Sequence, residues 1–261
     1  MEPLLIDRHD DGVVVLTLNV PERRNAMNEE LTAAWAEAVP ALAGDRAVRC
    51  VVVTGAGTAF CAGGDLSWIE GSSGLTLDDV RARMVPFYRT WLAIRDLEVP
   101  TIAAVNGAAV GAGLAVALAC DLRYAAPEAK LSAPFTELGM HPGMATTWLL
   151  PEVTGLPVAR EMLLTGRVLT GAEAVGAGLV NRTFPAEALL PEVCAIAARV
   201  ASRAPMATRL TKVALAGSGH ASFEAALAWE SVVQPVTLAS ADLLEGLRAS
   251  RERRPPRFTG R

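Results

Sequence analysis

Aromatic residues make up only 5% of this 261-residue chain, and its four cysteines, at positions 50, 61, 120 and 194, form no CxxC pair and have no histidine nearby. That spacing excludes a zinc motif or a dithiol redox motif, and reduced thiols in a cytoplasmic setting are expected. A basic excess is also missing: 24 Lys and Arg stand against 28 Asp and Glu, a formal charge of −4. Nucleic-acid binding driven by bulk charge is excluded on that ground. The start, MEPLLIDRHDDG, carries acids where a signal peptide has a basic region, and it lacks a long apolar segment. No signal peptide is expected. Nor is there a GxGxxG fingerprint: the GAG at 111–113 is not followed by the acidic residue that a dinucleotide fold needs after its next strand.

The longest uncharged run is 22 residues, Val99 to Cys120. Its interior holds Pro100, Asn106, Gly107, Gly111 and Gly113, so a buried strand, a loop and a buried helix are expected in place of a membrane span. Elsewhere, 51% of residues are hydrophobic, enough for one large core with or without a smaller appendage. Strands are expected at about 12–18, 48–55, 101–105 and 121–126. Helices are expected from Asn28, a plausible N-cap, to Ala43 and over 77–97. This rhythm argues for an α/β layered domain. Between them, EGSSGLT (70–76) is a candidate pocket lid. After Pro185 only helices are expected, over 186–202, 205–216, 222–239 and 241–251. That divides the chain into a core at 1–185 and a helical region at 186–261. The last fourteen residues hold six arginines against one glutamate, either a solvated tail or an anion-binding or subunit-contact segment.

Two segments share one design: FCAGGDL (60–66) and NGAAVGAGL (106–114). Each follows a strand and brings small residues into a turn before a helix, so that backbone N–H groups approach a ligand closely. Paired, they would make a two-donor oxyanion hole; tight packing of helix on sheet selects the same small residues.

The blocks LNVPERRNAMN, GAGTAFCAGGDLSWI, PTIAAVNGAAVGAGLAVALACDLRYAA, ELGMHPGMATTWLLPEVTG, EMLLTGRVLTGAEAVGAGLVNRTFP and EGLRASRERRPPRFTG resemble, in order and over nearly the whole chain, those of the crotonase (enoyl-CoA hydratase/isomerase) superfamily. The resemblance implies an α/β fold, a spiral of ββα units with a C-terminal helical region that trimerises, often with trimers paired as hexamers. It implies a coenzyme A thioester as substrate and no tightly bound cofactor, metal, nucleic acid or membrane partner. The thioester carbonyl would be held by the backbone N–H groups of Gly64 and Ala112. Arg24, Ala26, Ala62, Gly64, Asp65, Leu66, Ala112 and Phe135 would line the ligand, Asp65 as a loop-fixing carboxylate. Arg253 or Arg254 would reach a CoA phosphate.

The pattern departs from the family where hydratases carry two glutamates: those positions are Ala115 and Phe135 here. A third acid position, used by some isomerases and a dehalogenase, is Gly143. A positioned acid or base is worth roughly 10²- to 10⁴-fold, so ordinary two-glutamate hydration is not expected. Three acids lie between Val99 and Pro151: Asp121 at the start of a strand, Glu128 in a turn, and Glu137. Glu137 and His141 are the acid–base candidates, set against solvent-facing and backbone-bonded structural roles. His9 and His220 sit in turn-like contexts and are read as incidental. Phe135, Met140, Met144 and Trp148 are candidates for an apolar pocket wall or plain core. Two functions follow: a lyase or isomerase acting through a thioester enolate, or an acyl-CoA-binding protein that has lost catalysis.

Overall fold

The structure, a computed structural model, describes residues 2–65, 70–71, 74–218 and 222–261. The chain opens with an antiparallel pair, β1 (Leu4–Arg8) and β2 (Val13–Leu18). Helix α1 (Glu29–Gly44) follows, its N-terminus capped by Asn28, whose Oδ1 accepts the Leu31 N–H at 2.8 Å. Next come β3 (Cys50–Gly55), β4 (Ala59–Cys61) and α2 (Leu77–Leu92); then β5 (Thr101–Val105), β6 (Ala108–Val110) and α3 (Ala112–Ala119). The third set is β7 (Leu122–Ala125), β8 (Lys130–Ser132) and α4 (Thr146–Thr165), followed by β9 (Leu169–Thr170), α5 (Gly171–Gly176) and β10 (Arg182–Thr183).

These strands sort into two sheets, ordered β1-β2-β3-β5-β7-β10 and β4-β6-β8-β9. In each repeated unit the first strand joins the large sheet and the second joins the small one, which winds the chain into a spiral of ββα units. Pairing is parallel throughout the repeats. Continuous apolar strands such as CVVVTG are buried on both faces, as parallel strands between layers must be. On one face Val51 and Val53 join the main core with Trp35, Trp91 and the whole of α3. On the other, the alternate residues Cys50, Val52, Ile102 and Ala104 meet Leu189, Val193 and Ala197.

Those last three belong to α6 (Ala186–Ala201), the first of four terminal helices with α7 (Pro205–Val213), α8 (Phe223–Leu238) and α9 (Ala241–Glu252). Helix α6 thus covers the second face of the large sheet. Helix α7 is latched to the same sheet by Lys212, whose Nζ lies 2.9 Å from both Asp121 Oδ2 and the Val99 carbonyl. Asp121 also accepts the Thr101 N–H at 2.7 Å, the structural role expected of it. Helix α8 buries no residue, and Phe223, Leu227 and Val232 are 75%, 57% and 68% exposed.

The uncharged run from Val99 divides into β5, β6 and α3, and among the described residues no helix is long and apolar enough to cross a membrane. Helix α3 is buried at all eight positions, which explains its lack of any polar face. Strand β1 was not expected: it is an edge strand with only Leu4 buried, so it shows no apolar alternation. The three-residue strands β4, β6 and β8 are too short to carry a period.

Candidate active site

Strands β4 and β6 pair in parallel, with Cys61 opposite Ala109, so their chain exits lie side by side. Each exit turns on a glycine in the left-handed region, Gly63 at φ 99° and Gly111 at φ 55°. A Cβ on Gly63 would stand 2.7 Å from the Val110 carbonyl oxygen and 3.5 Å from the Ala112 nitrogen, so the two exits touch without room for a side chain. Gly64 and Ala112 are the residues that immediately follow. A Cβ on Gly64 would meet nothing within 4 Å, because this residue faces open space.

Neighbouring N–H groups are used up: Ala62 donates to the Arg24 carbonyl at 3.0 Å, Met27 to Gly63 at 2.9 Å, and Gly111 to Ser132 at 2.9 Å. Among the described residues nothing accepts from the Gly64 or Ala112 N–H. Ala112 is also the first residue of α3, whose N-terminus has no side-chain cap, so the helix dipole adds to its pull on negative charge. Two unpaired donors side by side can hold one oxygen on which charge develops.

The first loop is braced from below. Asn25, fully buried and left-handed at φ 56°, accepts the Val20 N–H at 2.9 Å and donates to the Ala56 and Ala59 carbonyls at 2.9 and 2.8 Å. Cys61 donates its thiol hydrogen to the Asn25 carbonyl, with Sγ at 3.0 Å. Burial pushes this thiol up to about 12, so Cys61 packs and does not act as a nucleophile. Asp65, 10% exposed at its side chain, pairs with Arg23 at 2.8 Å and ties the far end of the loop to the segment after β2.

Both donors open into a cavity of about 1450 Å³. Ala62, Gly64, Asp65, Ala112, Phe135 and His141 all line it. Leu66 and His220 lie outside the described residues, as do residues 72–73 of the candidate lid. Arg24 and Ala26 do not line the cavity; their neighbours Arg23 and Met27 do, and Arg24 contributes the carbonyl that anchors Ala62. Arg254, just past the end of the helix Ala241–Glu252, is held by two of that helix's carboxylates, Glu245 at 2.6 Å and Glu252 at 2.6 Å.

The wall facing the donors comes from residues 134–144 and from α2. Phe135 lies over Gly111, its Cζ 3.6 Å from where a Cβ on that glycine would be. Met140 and Met144 line the wall, whereas Trp148 does not: it is 53% exposed and carries the Arg95 guanidinium 4.6 Å from its ring centre. Ala115 is fully buried in α3 and is absent from the lining. Glu137 also falls outside the cavity. The short 3-10 turn Thr136–Leu138 carries it to an exposed position against Gly166, so chain proximity to the pocket does not become spatial proximity.

His141 does reach the cavity, with Nδ1 2.8 Å from the Pro142 carbonyl. A carbonyl oxygen only accepts, so Nδ1 carries the hydrogen and Nε2 of the neutral ring is left with its lone pair. Sequence reasoning missed Tyr88, Phe87 and Met84 of α2, which line the same cavity. Among the described residues no group of three His, Cys, Asp or Glu side chains is placed to hold a metal ion.

The sequence profile of one family, Enoyl-CoA hydratase/isomerase, matches residues 8–261. A probable enoyl-CoA hydratase of Mycobacterium tuberculosis is 42% identical over 85% of this chain and 84% of its own length. A 2,3-dehydroadipyl-CoA hydratase of Escherichia coli is 35% identical over 100% of both. The crystal structure of an enoyl-CoA hydratase from Bacillus anthracis superposes with a TM-score of 0.93 at 33% identity, covering 99% of this chain and 100% of the other.

Proposed function

From the premise that the chain belongs to the enoyl-CoA hydratase/isomerase family, we propose that it is an enzyme that moves protons on acyl-CoA thioesters through an enolate held by the Gly64 and Ala112 N–H groups. The observation that carries this reading is the pair of unpaired backbone donors, each set by a left-handed glycine and both opening into one cavity. That cavity, larger than the roughly 300–1,000 Å³ of ordinary small-molecule pockets, suits a thioester with a long carrier arm. The carbonyl oxygen would sit between the donors, with the acyl chain against Phe135, Met140 and Met144. His141, through its free Nε2, is the proposed proton acceptor.

Two-glutamate hydration is not part of this proposal, because the matching positions hold a buried alanine and a phenylalanine. The same observation favours a second reading, an acyl-CoA-binding protein without catalysis. Mixing the protein with crotonyl-CoA and longer enoyl-CoAs, following loss of the conjugated thioester absorbance, and titrating the same esters by calorimetry separates the two. Turnover that falls roughly 100-fold in His141→Ala supports the enzyme and its acceptor. Binding without turnover supports the carrier, and failure to bind any CoA ester rejects both.

The acyl pocket is assigned to residues 1–185. Residues 186–261 are proposed to join copies into trimers, or into hexamers of two trimers. The exposed apolar side chains of α8 support this, since contiguous apolar surface is normally covered. Sedimentation would read the mass directly.

A further inference from the structure

Tyr88 belongs to none of the motifs that identify the family, yet it lines the same cavity as the two donors. One turn further along α2, on the same face, Trp91 is fully buried and stacks on Trp35 of α1 with ring centres 4.9 Å apart. The two indoles are pinned: Trp35 donates to the Thr90 carbonyl and Trp91 to the Thr32 hydroxyl, both at 3.2 Å. This clamp fixes the rotation of α2 and aims Tyr88 inward.

Its hydroxyl meets the backbone of residues 143–144. The Met144 backbone lies beside the phenol oxygen and favours its anion. At Gly143, a Cβ would overlap that oxygen and stand 3.1 Å from the ring carbon Cζ, so the tyrosine fills the space that any side chain at 143 would need. Glycine at 143 and tyrosine at 88 are therefore one arrangement. The phenol hydroxyl donates to no acceptor among the described residues, and both Tyr88 and Gly143 line the cavity.

We propose that the Tyr88 hydroxyl is the proton donor to the bound acyl thioester, delivering its hydrogen to the carbon next to the thioester carbonyl. This rests on the acyl-CoA reading above. The electron pair of the enolate forms the new C2–H bond as the phenol O–H bond breaks. The resulting phenolate is favoured by the Met144 backbone beside it and recovers its proton from water. Burial of the phenol raises its pKa, so it stands protonated and ready to donate at neutral pH, while the Met144 backbone acts in the opposite sense and steadies the anion.

By microscopic reversibility the same group must mediate exchange at C2 of a saturated ester. The test is wash-in of deuterium at C2 of butyryl-CoA in D₂O, followed by proton NMR, with calorimetric titration of butyryl-CoA run alongside on wild type and Tyr88→Phe. Exchange that drops about 100-fold in Tyr88→Phe while affinity stays within about twofold supports the proposal, in line with the usual value of a positioned acid. Exchange within about threefold of wild type overturns it and leaves the acyl-CoA enzyme standing. Loss of binding together with exchange in Tyr88→Phe makes Tyr88 a packing residue and also overturns it. A wild-type protein that binds butyryl-CoA without exchanging it rejects both the donor and the enzyme, and one that does not bind it rejects the acyl-CoA reading as a whole.

Discussion

The glycine loops and the wall that faces them close one cavity, yet they depend on their residues in different ways. On the loop side the functional atoms are backbone N–H groups, and the essential side-chain property is its absence one position earlier, at Gly63 and Gly111. On the wall side the atoms proposed to act belong to side chains, His141 and Tyr88, brought from separate segments. A backbone donor survives exchange of its own side chain, which is why alanine at 112 is tolerable. A side-chain donor vanishes with one substitution and can be replaced from elsewhere in the fold. In this protein the loops hold the glycine turns, and the wall is built from Phe135, His141 and Tyr88.

The comparison is most severely broken at Gly63. Gly63→Ala forces a side chain into a left-handed position and against the Val110 carbonyl. Strain of about 1–3 kcal/mol is expected in thermal unfolding. Displacing the Gly64 donor should lower crotonyl-CoA turnover by roughly 10²- to 10³-fold. Gly143→Ala comes next. There the obstacle is the tip of a side chain, so Tyr88 can swing away, and turnover should fall by roughly tenfold, toward the lower end of acid–base effects. Binding of butyryl-CoA should be nearly unchanged in calorimetry.

A smaller effect is expected from Asp65→Asn, which removes the partner of Arg23 at the end of the first loop. A loss of about 1 kcal/mol, read as a few-fold rise in KM with kcat kept, fits a partly exposed ion pair that positions a loop. The smallest is Glu137→Gln. Its carboxylate lies against Gly166 outside the cavity, so turnover within about twofold of wild type is expected, well below the roughly 10²-fold loss that marks a positioned acid. A large loss there would show that the wall has been misassigned.

The same contrast explains what was legible in the sequence. Gly63, Gly111 and the residues after them could be read because left-handed turns and close chain approach leave few choices but glycine, and those constraints are local. Asp65 is different, since its partner Arg23 comes from a separate turn of the chain. Glu137 misled because it lies two positions from Phe135 in the chain, while a single 3-10 turn sends the two side chains in different directions. Tyr88 could not be read, since its role depends on a stacked pair of tryptophans and on the empty side-chain position at 143, three contacts with no common spacing. The terminal helices were legible as helices. That α6 covers the sheet while α8 leaves all of its own residues unburied is a tertiary fact that their amphipathic patterns do not separate.

The latch between Lys212 and Asp121 has a consequence for how the molecule is made. Every residue assigned to the pocket is translated by position 144, but the sheet that carries the glycine loops acquires its second layer only when α6 emerges. Asp121, about one-third exposed at its side chain, gains its cation later still, with the buried Lys212 of α7. A chain halted between α6 and residue 212 would present the loops on a sheet backed by α6 alone, with the Asp121 carboxylate at the head of β7 still lacking its cation. The layer behind the sheet and the cation at Asp121 thus follow the pocket residues in the chain.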